Sequence, residues 1–275
     1  DSALPTPNVR IQDASFLFDN VVPTLAISGP AHQDFVNSNI TFSGTTSDPD
    51  PGSPLVASLV STVTLSIQQI GGGNLCYDPG LNTFTAACPG FFGAGGSVGS
   101  WSFTPSALPY TPNLSYIVAA RALDNASNTS AIVLGTSSNT FTYVTALPVS
   151  TVTFPNANTV LSDVATITGT AGSPGLLTPL QGVGLSLGRV IGPTTSYWDG
   201  AGFNSVGVEV FVNANYVGYA SGTWSFATAP PPLVSGLRYL LRSKTTDYAG
   251  NVENYTSHPQ TSFLYDITKP VAQID

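Results

Sequence analysis

The chain has 275 residues, 15 acidic against 7 basic side chains and a formal charge of −8. Charged residues make up only 8% of it, against roughly 25% in ordinary soluble proteins. This balance excludes an electrostatic footprint for nucleic acid or an anionic membrane, and 27 Gly, 22 Pro and few Glu, Lys or Arg exclude a long helical architecture.

Hydrophobic residues, at 42%, suffice for one large core or two ordinary ones. No apolar run reaches the roughly 18–20 residues of a membrane span, and residues 1–10 lack the apolar stretch of a signal peptide. With no methionine, even at position 1, the chain reads as a mature product or a piece of something longer.

In chain order the segments read as strands. ITFSGT (40–45), TVTLSIQQI (62–70), WSFTP (101–105), YIVAARAL (116–123) and FTYV (141–144) alternate, or run β-branched and aromatic. Turn signals separate them, including DPDPG (48–52), GGGN (71–74) and GAGGSVGS (93–100). A second set follows: ATITGT (165–170), VGLSL (183–187), VEVFVNANYVGY (208–219), WSFAT (224–228), YLLRSKTTD (239–247) and SFLY (262–265). No window shows a helical period with caps at both ends.

The two sets are copies. Trp101 and Trp224 differ by 123, as do Tyr116 and Tyr239, and Asp124 and Asp247; Gly44 and Gly169 differ by 125. Residues 15–23 match 262–270, at an offset of 247, close to two repeat lengths. This divides the chain into the tail of a preceding unit (1–22), a first repeat (23–147), a second repeat (148–269) and the opening of another (270–275). About seven strands over 120 residues predict an all-β fold of two tandem Greek-key β-sandwiches arranged end to end. Trp101 and Trp224 are expected in the inter-sheet cores. Pro23, Pro148 and Pro270 recur just after the last strand of a unit and predict short, semi-rigid joints.

A strand ending in TGT, then GxWSF, then DxAGNxE, and a joint of the form F-x-Y-D-x-T-x-P resemble the bacterial immunoglobulin-like tandem repeats of large secreted surface proteins and adhesins. The match covers nearly the whole chain and is best over Leu237–Gln273. It implies an extracellular, non-catalytic stalk, spacer or fibre. It also implies that acidic residues near the joints hold calcium. On this chain those are Asp247, Asn251 and Asp266, expected to converge at the base of the second unit, and Asp124 and Asn128 in the first. Val144 stands where the joint aspartate is expected, and Asp19 restores the acid upstream. The alternative is that Asp124 and Asp247 cap their turns. Asp48 and Asp50 read as an ordinary solvated turn.

Cys76 and Cys88 lie 12 apart in a turn-rich stretch. They read as a local disulfide made in an oxidising compartment, with two buried thiols as the alternative. Lys244 and Lys269 do not occupy matching repeat positions, which argues against an intramolecular isopeptide bond. His32 and His258 belong to no catalytic or zinc motif. The glycine run 93–99 leads into a strand, so it lacks the helix N-terminus of a phosphate loop.

Two other functions stay open. One is a glycan- or partner-binding module using the stretches that differ between copies, 74–99 and 193–205, with Tyr197, Trp198, Asp199 and Phe203 as a sugar platform. The aromatics could instead close the ends of the sandwiches. The other is a filament subunit whose terminal strands, Ser15–Ile27 and Thr261–Ile274, add to neighbouring copies. Asn39, Asn113, Asn125, Asn128 and Asn254 begin glycosylation sequons.

Overall fold

A computed structural model of the protein describes residues 18–49, 58–97, 99–176, 178–227, 232–258 and 260–273, without the side chains of 96, 97 and 176. Ser15–Leu17 of the joint-like block, Asp50 and Ile274 lie outside the described residues.

The first unit contains β1 (Thr24–Gly29), β2 (Asp34–Val36), β3 (Phe42–Ser47), β4 (Val60–Ile70), β5 (Cys76–Asp78), β6 (Thr83–Ala86), β7 (Phe92–Gly93), β8 (Gly95–Ser97), β9 (Ser100–Phe103), β10 (Leu114–Asp124) and β11 (Ser138–Tyr143). One sheet has the order β1-β3-β9-β8; the other runs β2-β11-β10-β4-β5-β6, with β7 on β4. Passing from β3 to β4 and from β9 to β10, the chain crosses between the sheets, the path of an immunoglobulin-like sandwich.

The second unit repeats the plan with β12 (Val149–Phe154), β13 (Thr159–Leu161), β14 (Thr166–Gly172), β15 (Leu180–Ile191), β16 (Thr194–Tyr197), β17 (Ser205–Val206), β18 (Val212–Gly218), β19 (Ser221–Ala227), β20 (Leu237–Asp247) and β21 (Thr261–Tyr265). Here β18 pairs with β15 through Val212–Ala214 and with β19 through Asn215–Gly218, so the two sheets merge along one edge. The first unit makes the same crossing with β7 on β4 and β8 on β9. The expected strand at 208–219 begins at Val212, because Glu209 turns aside to pair with Arg242 at 2.9 Å.

Registers explain why the copied motifs are copied. Gly44 pairs with Trp101, and Gly169 with Trp224. Each indole covers its glycine. A Cβ at Gly44 would stand 2.5 Å from Cζ2 of Trp101, and one at Gly169 would collide with the Thr151 carbonyl and the Trp224 ring. The TGT and WSF motifs are therefore two halves of one contact. Trp101 and Trp224 are buried, in separate cores spanning Leu25–Tyr143 and Val164–Phe263.

β10 and β20 alternate strictly, burying Tyr116, Val118, Ala120, Ala122 and Asp124 on one, and Tyr239, Leu241, Ser243, Thr245 and Asp247 on the other. Tyr116 OH accepts the Thr111 N–H, and Tyr239 OH accepts the Val234 N–H, both at 2.7 Å. This tyrosine corner is a hallmark of immunoglobulin-like sandwiches. The second unit adds a buried carboxylate: Glu253 accepts the Ser150 N–H at 2.7 Å and the Thr245 N–H at 3.0 Å, fastening β12 to the end of β20.

Cys76 and Cys88 form a disulfide, with Cα atoms 5.2 Å apart. No helix among the described residues is long and apolar enough to cross a membrane.

Candidate functional site

The chemistry that recurs lies at the joints. At the end of β20, strand alternation turns Asp247 inward, fully buried. Its Oδ1 accepts the main-chain N–H of Asn251 at 2.8 Å, and its Oδ2 accepts the Asn251 side-chain amide at 2.9 Å. Held this way, Asn251 Nδ2 also donates to the carbonyl of Val144, on the segment arriving from the first unit, at 3.0 Å. Asn37 of the first unit donates to Asn251 Oδ1 at 3.2 Å.

The segment that leads into β1, called the upstream joint below, is held alike. Asp124 receives the N–H and side-chain amide of Asn128, both at 2.8 Å. Asn128 Nδ2 then donates to the Asp19 carbonyl at 3.1 Å. Asp124 and Asp247 therefore cap their turns, and the capped asparagine clasps the incoming chain.

The expected convergence of Asp247, Asn251 and Asp266 is not found. Leu237 pairs with Tyr265, so Asp266 sits at the opposite end of β20 from Asp247. Ten residues of strand separate the two ends, roughly 33 Å. The expectation assumed that a turn and a joint close in sequence also meet in space, whereas a full-length strand lies between them.

Asp124 gathers different partners, Asp19 and Asp48, and one carboxylate oxygen from each lies within 4.8 Å of the others. Asp19 Oδ1 accepts the Val21 N–H at 2.9 Å and Oδ2 the Ser58 N–H at 2.8 Å. The Val21 N–H is the main cause that holds the Asp19 carboxyl below its ordinary range. Asp48 Oδ2 accepts the Ser58 hydroxyl at 3.3 Å, while its Oδ1 is buried without a partner. Asp48 is thus part of the joint as well as of a turn.

Like charges this close repel one another. Calcium takes oxygen ligands at about 2.3–2.6 Å, so two oxygens on one ion fall within the spacing seen here. The three carboxylates and the orphaned Asp48 oxygen fit such an ion. The joint between the units does not fit. By the β1–β3 and β12–β14 registers, Val144 and Ser173 stand where the upstream joint has Asp19 and Asp48.

The stretches that differ between copies fold back on their own units. Trp198 is 5% exposed and packs on Phe203 at 5.6 Å, so the expected sugar platform is not at the surface. Its ring is drawn inward because the Trp198 N–H continues the β15 ladder to the Leu187 carbonyl. Tyr197 lies half-buried over Gly188, and Phe203 lies under Arg189 at 4.5 Å. Asp199 caps its own turn: the Ala201 and Gly202 N–H groups, each at 2.9 Å, hold its carboxyl below the ordinary range. In the first unit Phe91 lies under Arg121 at 3.9 Å; in the second Phe211 lies under Lys244 at 4.4 Å. Arg121 and Lys244 occupy equivalent places, but the cation over the variable stretch is Arg121 in the first unit and Arg189 in the second.

Asn39, Asn113, Asn125 and Asn254 are exposed, although the side-chain amides of Asn39 and Asn125 donate to the Pro105 and Ser58 carbonyls at 2.9 and 2.7 Å. Asn128 is consumed by the joint, since sugar on its amide would break the contact to Asp19. Within the chain, Thr24–Gly29 is an edge strand paired on one side with β3, and Thr261–Tyr265 pairs with both β20 and β13. The asparagine clasp and the contributions of Asp48 and Glu253 escaped the sequence reading. The repeated D-x-x-x-N spacing was the available signal for the clasp.

No protein-family model matches the chain, and no curated protein matches it. Among solved structures the chain is similar to fibronectin(III)-like modules of Clostridium thermocellum CbhA, at 11% identity and a TM-score of 0.40, over 91% of this chain and 100% of that one.

Proposed function

We propose that the protein is an extracellular structural repeat pair, a spacer in the stalk or fibre of a large surface protein of the bacterial immunoglobulin-like kind, without a catalytic role. The observation that carries this reading is the clasp made twice: Asn128 on the Asp19 carbonyl and Asn251 on the Val144 carbonyl. A joint repeated with the same donor, acceptor and capping carboxylate fixes how one unit follows another. Each repeat contacts its neighbours alone, so length grows in one dimension. The disulfide favours an oxidising, extracellular setting.

At the upstream joint the spacer takes calcium on Asp19, Asp48 and Asp124, which tightens that joint; the joint between the units relies on hydrogen bonds. Immuno-electron microscopy of intact source cells tests the role. The reading expects label on surface projections of unpermeabilised cells. Label confined to the interior would refute it.

A further inference from the structure

We infer that the C-terminal face of the second unit, centred on Asp266, receives a further copy of the first unit and not of the second. The inference rests on the spacer reading above and adds to it an order of units.

Asp266 is already shaped as the incoming residue of a joint. Its N–H donates to the Leu161 carbonyl at 2.9 Å, as the Val144 N–H donates to the Val36 carbonyl at 2.8 Å. The parallel pairings Asp34↔Phe141 and Thr159↔Phe263 put both residues at one register position. The Asp266 carbonyl therefore stands where the Val144 carbonyl meets Asn251. Asp266 Oδ1 accepts the Thr268 N–H at 2.8 Å, two residues on, as Asp19 Oδ1 accepts the Val21 N–H at 2.9 Å. The segment after β21 thus follows the main-chain course seen at the upstream joint, and Pro270 matches Pro23.

The two receiving ends differ in chemistry. The end that takes Asp19 presents Asp48 beside Asp124, with the Asp48 Oδ1 unpartnered. The end that takes Val144 presents Ser173, whose hydroxyl is buried 3.0 Å from that of Thr178. An acid arrives where a second acid waits, and an apolar residue arrives where none does. Asp266 belongs to the acidic kind. Delivered to an end of the second kind, its carboxylate would meet Asp247 with no third carboxylate to help hold a cation, leaving like charges buried together. Delivered to an end of the first kind, it reproduces the set made by Asp19, Asp48 and Asp124.

The test extends the protein. The full chain through Pro270 is continued either by a second copy of residues 24–147 or by a second copy of residues 149–269. Spin labels on the second unit and the appended unit report the distance distribution across the new joint in calcium chloride. The expected result is a narrow distribution for the appended first unit and a broad one for the appended second unit. Asn128→Ala in the appended copy should broaden the former. Equal widths for the two extensions would overturn the inference. A label pair across the existing joint separates the causes: breadth there would count against the spacer reading itself.

A second measurement uses the chain at its present length. Val144→Asp alone should lower the melting temperature, and adding Ser173→Asp in calcium chloride should restore it. A harmless Val144→Asp, or no recovery in the double variant, would overturn the pairing of kinds.

Discussion

Asn251 donates its side-chain amide to the main-chain carbonyl of Val144 at 3.0 Å, across the boundary between the two cores. Both residues are buried, so water does not compete for the bond. Asn251→Ala removes it and also strips Asp247 of one donor. A buried acceptor left unmet costs about 1–3 kcal/mol. Calorimetry should show the second unit destabilised by that order, while Asn254→Ala, at an exposed position nearby, should leave it unchanged.

Gly169→Ala should destabilise the second unit and Gly44→Ala the first, each by about 1–3 kcal/mol or more, because an added methyl forces the indole and the neighbouring strand apart. Denaturant melts followed by tryptophan fluorescence check this. Alanine at Gly182, where a Cβ meets nothing within 4 Å, serves as the control.

Tyr116→Phe and Tyr239→Phe each leave a main-chain N–H, of Thr111 and Val234 respectively, without its acceptor. Each should cost about 1–2 kcal/mol, with the ring packing retained. Chemical denaturation of the two variants should give similar losses, since the corner is built alike in both units.

Chelation should affect the first unit more than the second. Adding EDTA should lower the melting temperature of the first unit, and excess calcium should raise it by linkage. Asp48→Asn should remove that response. A calcium response of equal size in the second unit, or one that survives Asp48→Asn, would count against the carboxylate set at the upstream joint.

Acid should loosen the upstream joint and the segment that follows β21. Asp19 and Asp266 have carboxyls held below the ordinary value of 3.8, chiefly by the N–H groups of Val21 and Thr268. A lowered folded pKa contributes stability that is present above the unfolded value and is lost as pH falls through the folded one. Stability should therefore be flat above pH 3.8 as far as these groups are concerned, and should decline below it. Asp19→Asn should flatten the acid limb of a stability profile measured by urea melts.

Much of the fold was legible because duplication doubles the signal. Trp101 and Trp224, with Gly44 and Gly169, mark one packing contact twice, and the alternation in β10 and β20 states which face is inward. The run from Val208 points to a strand over 208–219, but Glu209 turns aside to meet Arg242 and the ladder begins only at Val212. The site was harder to read. Asp266 and Asp247 are close in sequence but at opposite ends of a strand, and Asp19 and Asp124 are distant in sequence but adjacent in space. Trp198 looks exposed in a glycine-rich stretch, yet its backbone ladder with Leu187 carries the ring inside. Spacing along the chain reports which residues share a face, not which loops meet at one end of a sandwich.

Residual dipolar couplings across the joint between the units test the central claim most directly. If the clasp of Asn251 on Val144 fixes one sandwich on the next, both units should report a single alignment tensor, and Asn251→Ala should split it in two. Two independent tensors in the unaltered protein would contradict the account.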